Sequence, residues 1–148
     1  MKAFDFSSIG DISLWVESIP PPRTAAVYVQ QEVSLAAVAA MTDLLCPRFV
    51  DVEGAVLLER KSSSKSFQSW QEHFHGDLRA VESMLNHEHV WDMFTYDDET
   101  NEAALEIVAE RMAITWKAAA EAQFPDRAFV CEVTDEYGPT VTITTAVP

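Results

Sequence analysis

Residues 99–123 carry an apolar stripe at helical spacing, and no other stretch limits the fold as strongly. Leu105, Val108, Met112, Trp116 and Ala119 recur at intervals of three and four, and Ile107 and Ile114 widen the stripe. An α-helix turns once every 3.6 residues, so these side chains share one side and are expected to lie against a core. Tyr96-Asp97-Asp98 is a polar turn and a start signal, and Phe124-Pro125-Asp126 is the stop. Residues 127–134 and 140–147 then read as β-strands. Asp135-Glu136-Tyr137-Gly138-Pro139 joins them as a hairpin loop.

Upstream, residues 24–30 (TAAVYVQ) read as a strand, with Val27 and Val29 alternating with Tyr28. Ser34 is the expected N-cap of a helix over residues 35–45, with Leu35, Val38, Met41 or Thr42, and Leu45 on one face and Pro47 beyond its end. Residues 48–59 are β-type. Gly54 marks either a bulge in one long strand or the turn of a tight hairpin; the expectation is the bulged strand, because a hairpin would leave two very short strands. Residues 60–65 form a polar loop and the only basic cluster. Ser66 is expected to cap a helix with an aromatic stripe of Phe67, Trp70 and Phe74. Asp77 is expected to cap the next, with Leu78, Val81 and Leu85 on its buried face. Residues 1–22 read as a peripheral arm, with Asp11 capping a short turn and three prolines enforcing extension. The order β-α-β-α-α-α-β-β predicts one α+β domain over residues 1–148. Its expected architecture is a two-layer sandwich of about four strands with helices on one face.

A chain of 148 residues buries a core without staples. Its longest apolar run is far shorter than the roughly 20 residues needed to cross a bilayer, and its first residues carry acids where a signal peptide is hydrophobic. The expectation is a cytoplasmic protein with no membrane contact, and with Cys46 and Cys131 as buried thiols. The net charge is −14, and it is concentrated. Residues 66–110 hold eleven acids and a single basic residue, Arg79. Such a surface disfavours direct nucleic-acid binding, which needs Lys and Arg, and favours a basic partner protein.

Two constellations carry the chemistry of this segment. Glu99, Glu102, Glu106 and Glu110 recur at three and four on the long helix, preceded by Asp97 and Asp98. Like charges at that spacing weaken a helix by a few tenths of a kcal/mol per pair. The ridge therefore opposes helix stability except near the N-terminus, where the helix dipole compensates. The second constellation is all four histidines within seventeen residues, as His73-x-His75 and His87-x-His89. Imidazole nitrogens ligate zinc and other transition metals. Residues two apart point about 200° from one another on a helix but to the same side of a strand, so an H-x-H pair chelates only on a strand or loop. His87 and His89 are the better placed pair, with Glu88 and Asp92 nearby as a carboxylate pair. There is no P-loop, nucleophile elbow or dinucleotide-binding glycine pattern.

The leading expectation is a small acidic binding or inhibitor protein, in the manner of an immunity protein or a DNA mimic. It would dock a basic partner through Asp97, Asp98, Glu99, Glu102, Glu106 and Glu110. The alternatives are a metal-binding protein or metal-dependent enzyme using His73, His75, His87 and His89, and a non-catalytic module that forms a homodimer.

Overall fold

The computed structural model describes residues 9–21, 23–94 and 98–146. The elements run α1 (Gly10–Ser18), α2 (Ala25–Glu32), α3 (Leu35–Leu45), β1 (Phe49–Val52), β2 (Ala55–Leu58), α4 (Ser64–His73), α5 (Leu78–Leu85), β3 (His87–His89), α6 (Asp98–Gln123), β4 (Phe129–Thr134) and β5 (Thr140–Thr145). Single 3-10 turns occupy Glu59–Lys61 and Val90–Met93. The fold is α+β, with two small antiparallel sheets: β1–β2, and a three-stranded sheet in the order β3-β5-β4.

The stripe of α6 is the floor of the main core. Leu105, Ala109, Met112, Trp116 and Ala120 are buried against Val141 and Ile143 of β5, Phe129 of β4, and Val56 and Leu58 of β2. Ile114, expected to widen the stripe, is exposed, while Ile107 packs instead beside Ile9, Ile12 and Trp15. The long helix is thus buried on two sides. At its far end the Gln123 side chain donates to the Pro47 carbonyl and accepts from the Phe49 amide at 2.9 Å, which fixes where β1 begins.

All four residues of β2 are buried, because both of its faces are covered. Val56 and Leu58 face α6, whereas Ala55 and Leu57 face a second cluster of Phe67 from α4 with Val81 and Leu85 from α5. Helices lie on both sides of β2, not only on one face as expected.

Three expected elements are corrected. Residues 24–30 are the N-cap and most of α2, not a strand. Thr24 caps it by accepting from the Val27 amide, and Val27 and Tyr28 turn toward α1, with the Tyr28 ring edge-on to Trp15 at 5.1 Å. Two apolar residues in alternation do not hold a strand that has no ladder to join. Residues 48–59 are a hairpin rather than one bulged strand, with Val52 opposite Ala55 across the two-residue turn Glu53-Gly54. Both turn residues have positive φ, 52° and 96°, as the turn that matches strand twist requires. Its two strands have four residues each, and β2 is stabilised by burial on both faces. Finally, α4 starts before Ser66: Ser63 is the cap, accepting from the Ser66 amide. Leu35 of α3 is 85% exposed and does not join its expected face. Ser34 and Asp77 cap α3 and α5 as expected.

The hairpin turn is tied down from both ends. The Asp51 carboxylate accepts from the Gly54 amide at 2.9 Å and pairs with Arg127, whose guanidinium also donates to the Gly54 carbonyl at 3.0 Å. The Gly54 hydrogen bond, with Arg127 beside it, holds the Asp51 pKa below its ordinary value. A lowered folded-state pKa means that the link is intact at neutral pH and is lost as pH falls through that value.

The two sheets do not pair directly along their facing edges. Between them stand two buried polar side chains one turn apart, Glu82 of α5 and Asn86 at its C-cap. Glu82 accepts from the Val56 amide at 2.8 Å with one oxygen, and from the Thr145 amide and hydroxyl at 2.7 and 2.8 Å with the other. Asn86 accepts from the Leu58 amide at 2.9 Å and donates to the carbonyls of Val56 and Ile143 at 2.8 and 3.1 Å. Glu82 is fully buried and Asn86 nearly so. Together they replace a strand ladder between β2 and β5.

Glu82→Gln turns one acceptor oxygen into a donor facing N–H groups, and Asn86→Asp turns the donor into an oxygen facing two carbonyls. Each is expected to cost about 2–4 kcal/mol in urea unfolding, from buried polar groups left unpaired. A change below 1 kcal/mol in both would show that the seam carries little of the stability. Glu53→Asn, which accepts a positive φ more readily, is expected to raise stability by about 0.5 kcal/mol. A lowered unfolding midpoint would contradict the turn assignment.

Candidate functional site

Two faces of the molecule gather the residues singled out by charge and motif. The first is the acidic ridge. Asp97 lies outside the described residues, and Asp98 and Glu99 fall in the first turn of α6. Glu102, Glu106 and Glu110 follow at intervals of four, all exposed. Among the described residues none of these three carboxylates is in an ion pair; further along the helix Lys117 pairs with Glu121.

The ridge is not an isolated helix face. Glu102 and Glu106 line a cleft of about 280 Å³ with Trp91, Leu105, Asp135, Gly138 and Pro139. The β4–β5 connection leans on the N-terminal half of α6 and adds a third carboxylate, Asp135. Trp91 holds that connection in place through its indole N–H, which donates to the Tyr137 carbonyl at 2.8 Å. Gly138 has φ of 81°, and a β-carbon there would stand 2.9 Å from the Trp91 ring, so only glycine fits. Neither Trp91 nor Asp135 was indicated as a ridge residue by spacing, because each reaches the ridge from a different part of the chain.

The second face holds histidines. His73 ends α4, exposed, with its ring edge-on to Trp70 and Phe74 at 5.4 and 4.9 Å. His75 is exposed in the left-handed turn that follows, with φ of 53°. His87 and His89 lie on β3 opposite Thr142 and Thr140 of β5. Among the described residues no group of three or more His, Cys, Asp or Glu is arranged to hold a metal ion, so the four histidines do not converge.

The strand brings His87 and His89 to one side, with ring centroids 5.3 Å apart. Both line a cleft of about 400 Å³ between α5 and the β3-β5-β4 sheet, with Met84, Thr140 and Glu136. His87 Nδ1 lies 2.6 Å from the Met84 carbonyl, which can only accept, so that nitrogen carries the proton. His89 Nδ1 lies 2.8 Å from the Thr140 hydroxyl oxygen. That hydroxyl donates its own hydrogen to the Gly138 carbonyl at 3.0 Å, so here too Nδ1 is the donor. The Trp91 ring flanks His89 at 5.6 Å.

The carboxylate pair considered on sequence is not assembled. Glu88 points to the other side of β3, only 16% exposed, and pairs with Arg60 at 2.8 Å and Lys61 at 3.1 Å. Asp92 is exposed. The basic loop is therefore not merely solvated, since two of its cations neutralise Glu88. Arg60 also lies over the Trp116 ring at 5.5 Å.

The two cysteines differ. Cys46 is exposed, contrary to expectation. Cys131 is partly buried in β4, and desolvation pushes its pKa up to about 12. A thiol reagent at pH 8 is expected to modify Cys46 rapidly and Cys131 only on unfolding, because the thiolate is the reactive species. Two equally fast equivalents would contradict this placement. No protein-family model matches the chain, and no curated protein or solved structure matches it significantly.

Proposed function

We propose that this protein is a non-catalytic binding protein that docks a basic protein surface through the exposed face of α6 and the adjoining β4–β5 connection. The observation that carries this reading is the row Glu102, Glu106 and Glu110. These carboxylates are exposed, four residues apart and without cationic partners among the described residues, and Asp135 extends the same charge across a cleft. Like charges at that spacing work against the helix that carries them. The α6 core offsets this cost, and a complementary surface would remove it. Trp91, flanking the cleft, offers the aromatic contact on which interface energy concentrates. The partner class that fits is a protein whose basic surface otherwise meets nucleic-acid phosphates, and docking would block that surface.

The test compares wild type with Glu102→Gln/Glu106→Gln/Glu110→Gln as baits in native extract, washed in a salt series. Basic proteins are expected to bind wild type at low salt and to leave as salt rises. For a purified partner, the triple variant is expected to associate about tenfold more slowly at low ionic strength, with a flatter salt dependence. A captured set that is identical for both baits would assign the ridge to solubility alone.

A further inference from the structure

We propose that His87 and His89 form a binding site for a divalent transition-metal ion such as zinc, open to the cleft beside α5 and independent of the acidic ridge. Residues two apart on a strand share a face, and the 5.3 Å between their ring centroids fits this use. Two imidazoles bound through Nε2 to one tetrahedral zinc, with Zn–N about 2.0 Å, have centroids about 5 Å apart.

The tautomers are already those a metal needs. In ligating histidines the nitrogen away from the metal donates to a carbonyl or similar acceptor, which fixes the ring and makes the ligating nitrogen more basic. The Met84 carbonyl serves His87 in this way, and the Thr140 hydroxyl, itself oriented by the Gly138 carbonyl, serves His89. With Nδ1 as the donor in each ring, Nε2 is the nitrogen left to ligate. Neither Nε2 has a protein partner, and among the described residues no buried side-chain nitrogen or oxygen is unpaired, so both reach solvent. Both rings line the same cleft, and Glu136 and the strong negative charge of the chain favour a cation there.

The site is open rather than closed. No third side chain stands in position among the described residues, and Glu88 is held on the opposite side of β3 by Arg60 and Lys61. The two remaining tetrahedral positions fall to water or to a ligand from outside. Such a site exchanges its metal, in contrast to a structural zinc bound by four protein ligands.

The test uses untagged full-length protein, stripped with chelator and titrated with zinc chloride by calorimetry. One equivalent is expected to bind wild type. His87→Ala and His89→Ala are each expected to weaken binding at least tenfold, and Thr140→Val about tenfold, as loss of an outer-shell partner does. His73→Ala and His75→Ala are expected to bind as wild type does. Long-range nitrogen–proton spectra of wild type read the rings directly, independent of any variant's folding: both Nδ1 protonated before zinc, both Nε2 resonances shifted after it. Three results would each overturn the proposal: absence of binding up to about 1 mM zinc, binding that survives both β3 variants, or an Nε2-protonated tautomer at either ring.

Discussion

A carboxylate taken wholly out of water must be met by donors, or it destabilises the fold that buries it. At Glu82 the donors are two backbone amides and a hydroxyl, drawn from strands that belong to different sheets. One turn later Asn86 accepts from a third amide and donates to two carbonyls. The edges of β2 and β5 would otherwise hold unpaired peptide groups inside the protein. Two side chains at i and i+4, one in α5 and one at its C-cap, satisfy them and set the spacing between the sheets. The same helix contributes Val81 and Leu85 to the smaller core, so α5 is at once a hydrophobic wall and a polar seam.

Both candidate faces depend on that seam. β3 follows α5 after a single residue, and that residue is Asn86. The anchoring of Asn86 delivers the chain to the edge of β5, where His87 and His89 pair opposite Thr142 and Thr140. It also places the Met84 carbonyl under His87. Beyond β3 the chain turns through Val90–Met93, and Trp91 reaches the β4–β5 connection to hold it against α6. The histidine cleft and the acidic cleft thus lie near one short stretch, in which Trp91 lines the acidic cleft and flanks the His89 ring of the other.

The elements legible in the chain are those whose signals are local. The helix of Leu105, Met112 and Trp116, the caps Ser34 and Asp77, and the final hairpin each follow from spacing or from a side chain bonding its own neighbours. The misread elements had signals that distant partners overrode. The alternation at Val27 and Val29 suggested a strand, but the packing of Tyr28 on Trp15 goes with a helix. Strands as short as β1 and β2 are weak as a lone hairpin, but two core clusters press on β2 and hold it. The i, i+2 rule separated His87 and His89 from His73 and His75 once β3 was known to be a strand.

The sequence by itself determined where the charge lies and where the long helix starts and stops, because each depends on residues within a turn or two of one another. Only the tertiary structure decided that Glu82 and Asn86 are buried, that Asp135 and Trp91 join the acidic face, and that both histidines of β3 are held with Nε2 free. The physical reason is that hydrogen-bond partners for buried polar groups come from segments far apart in the chain. No local pattern records which distant amide or carbonyl will arrive.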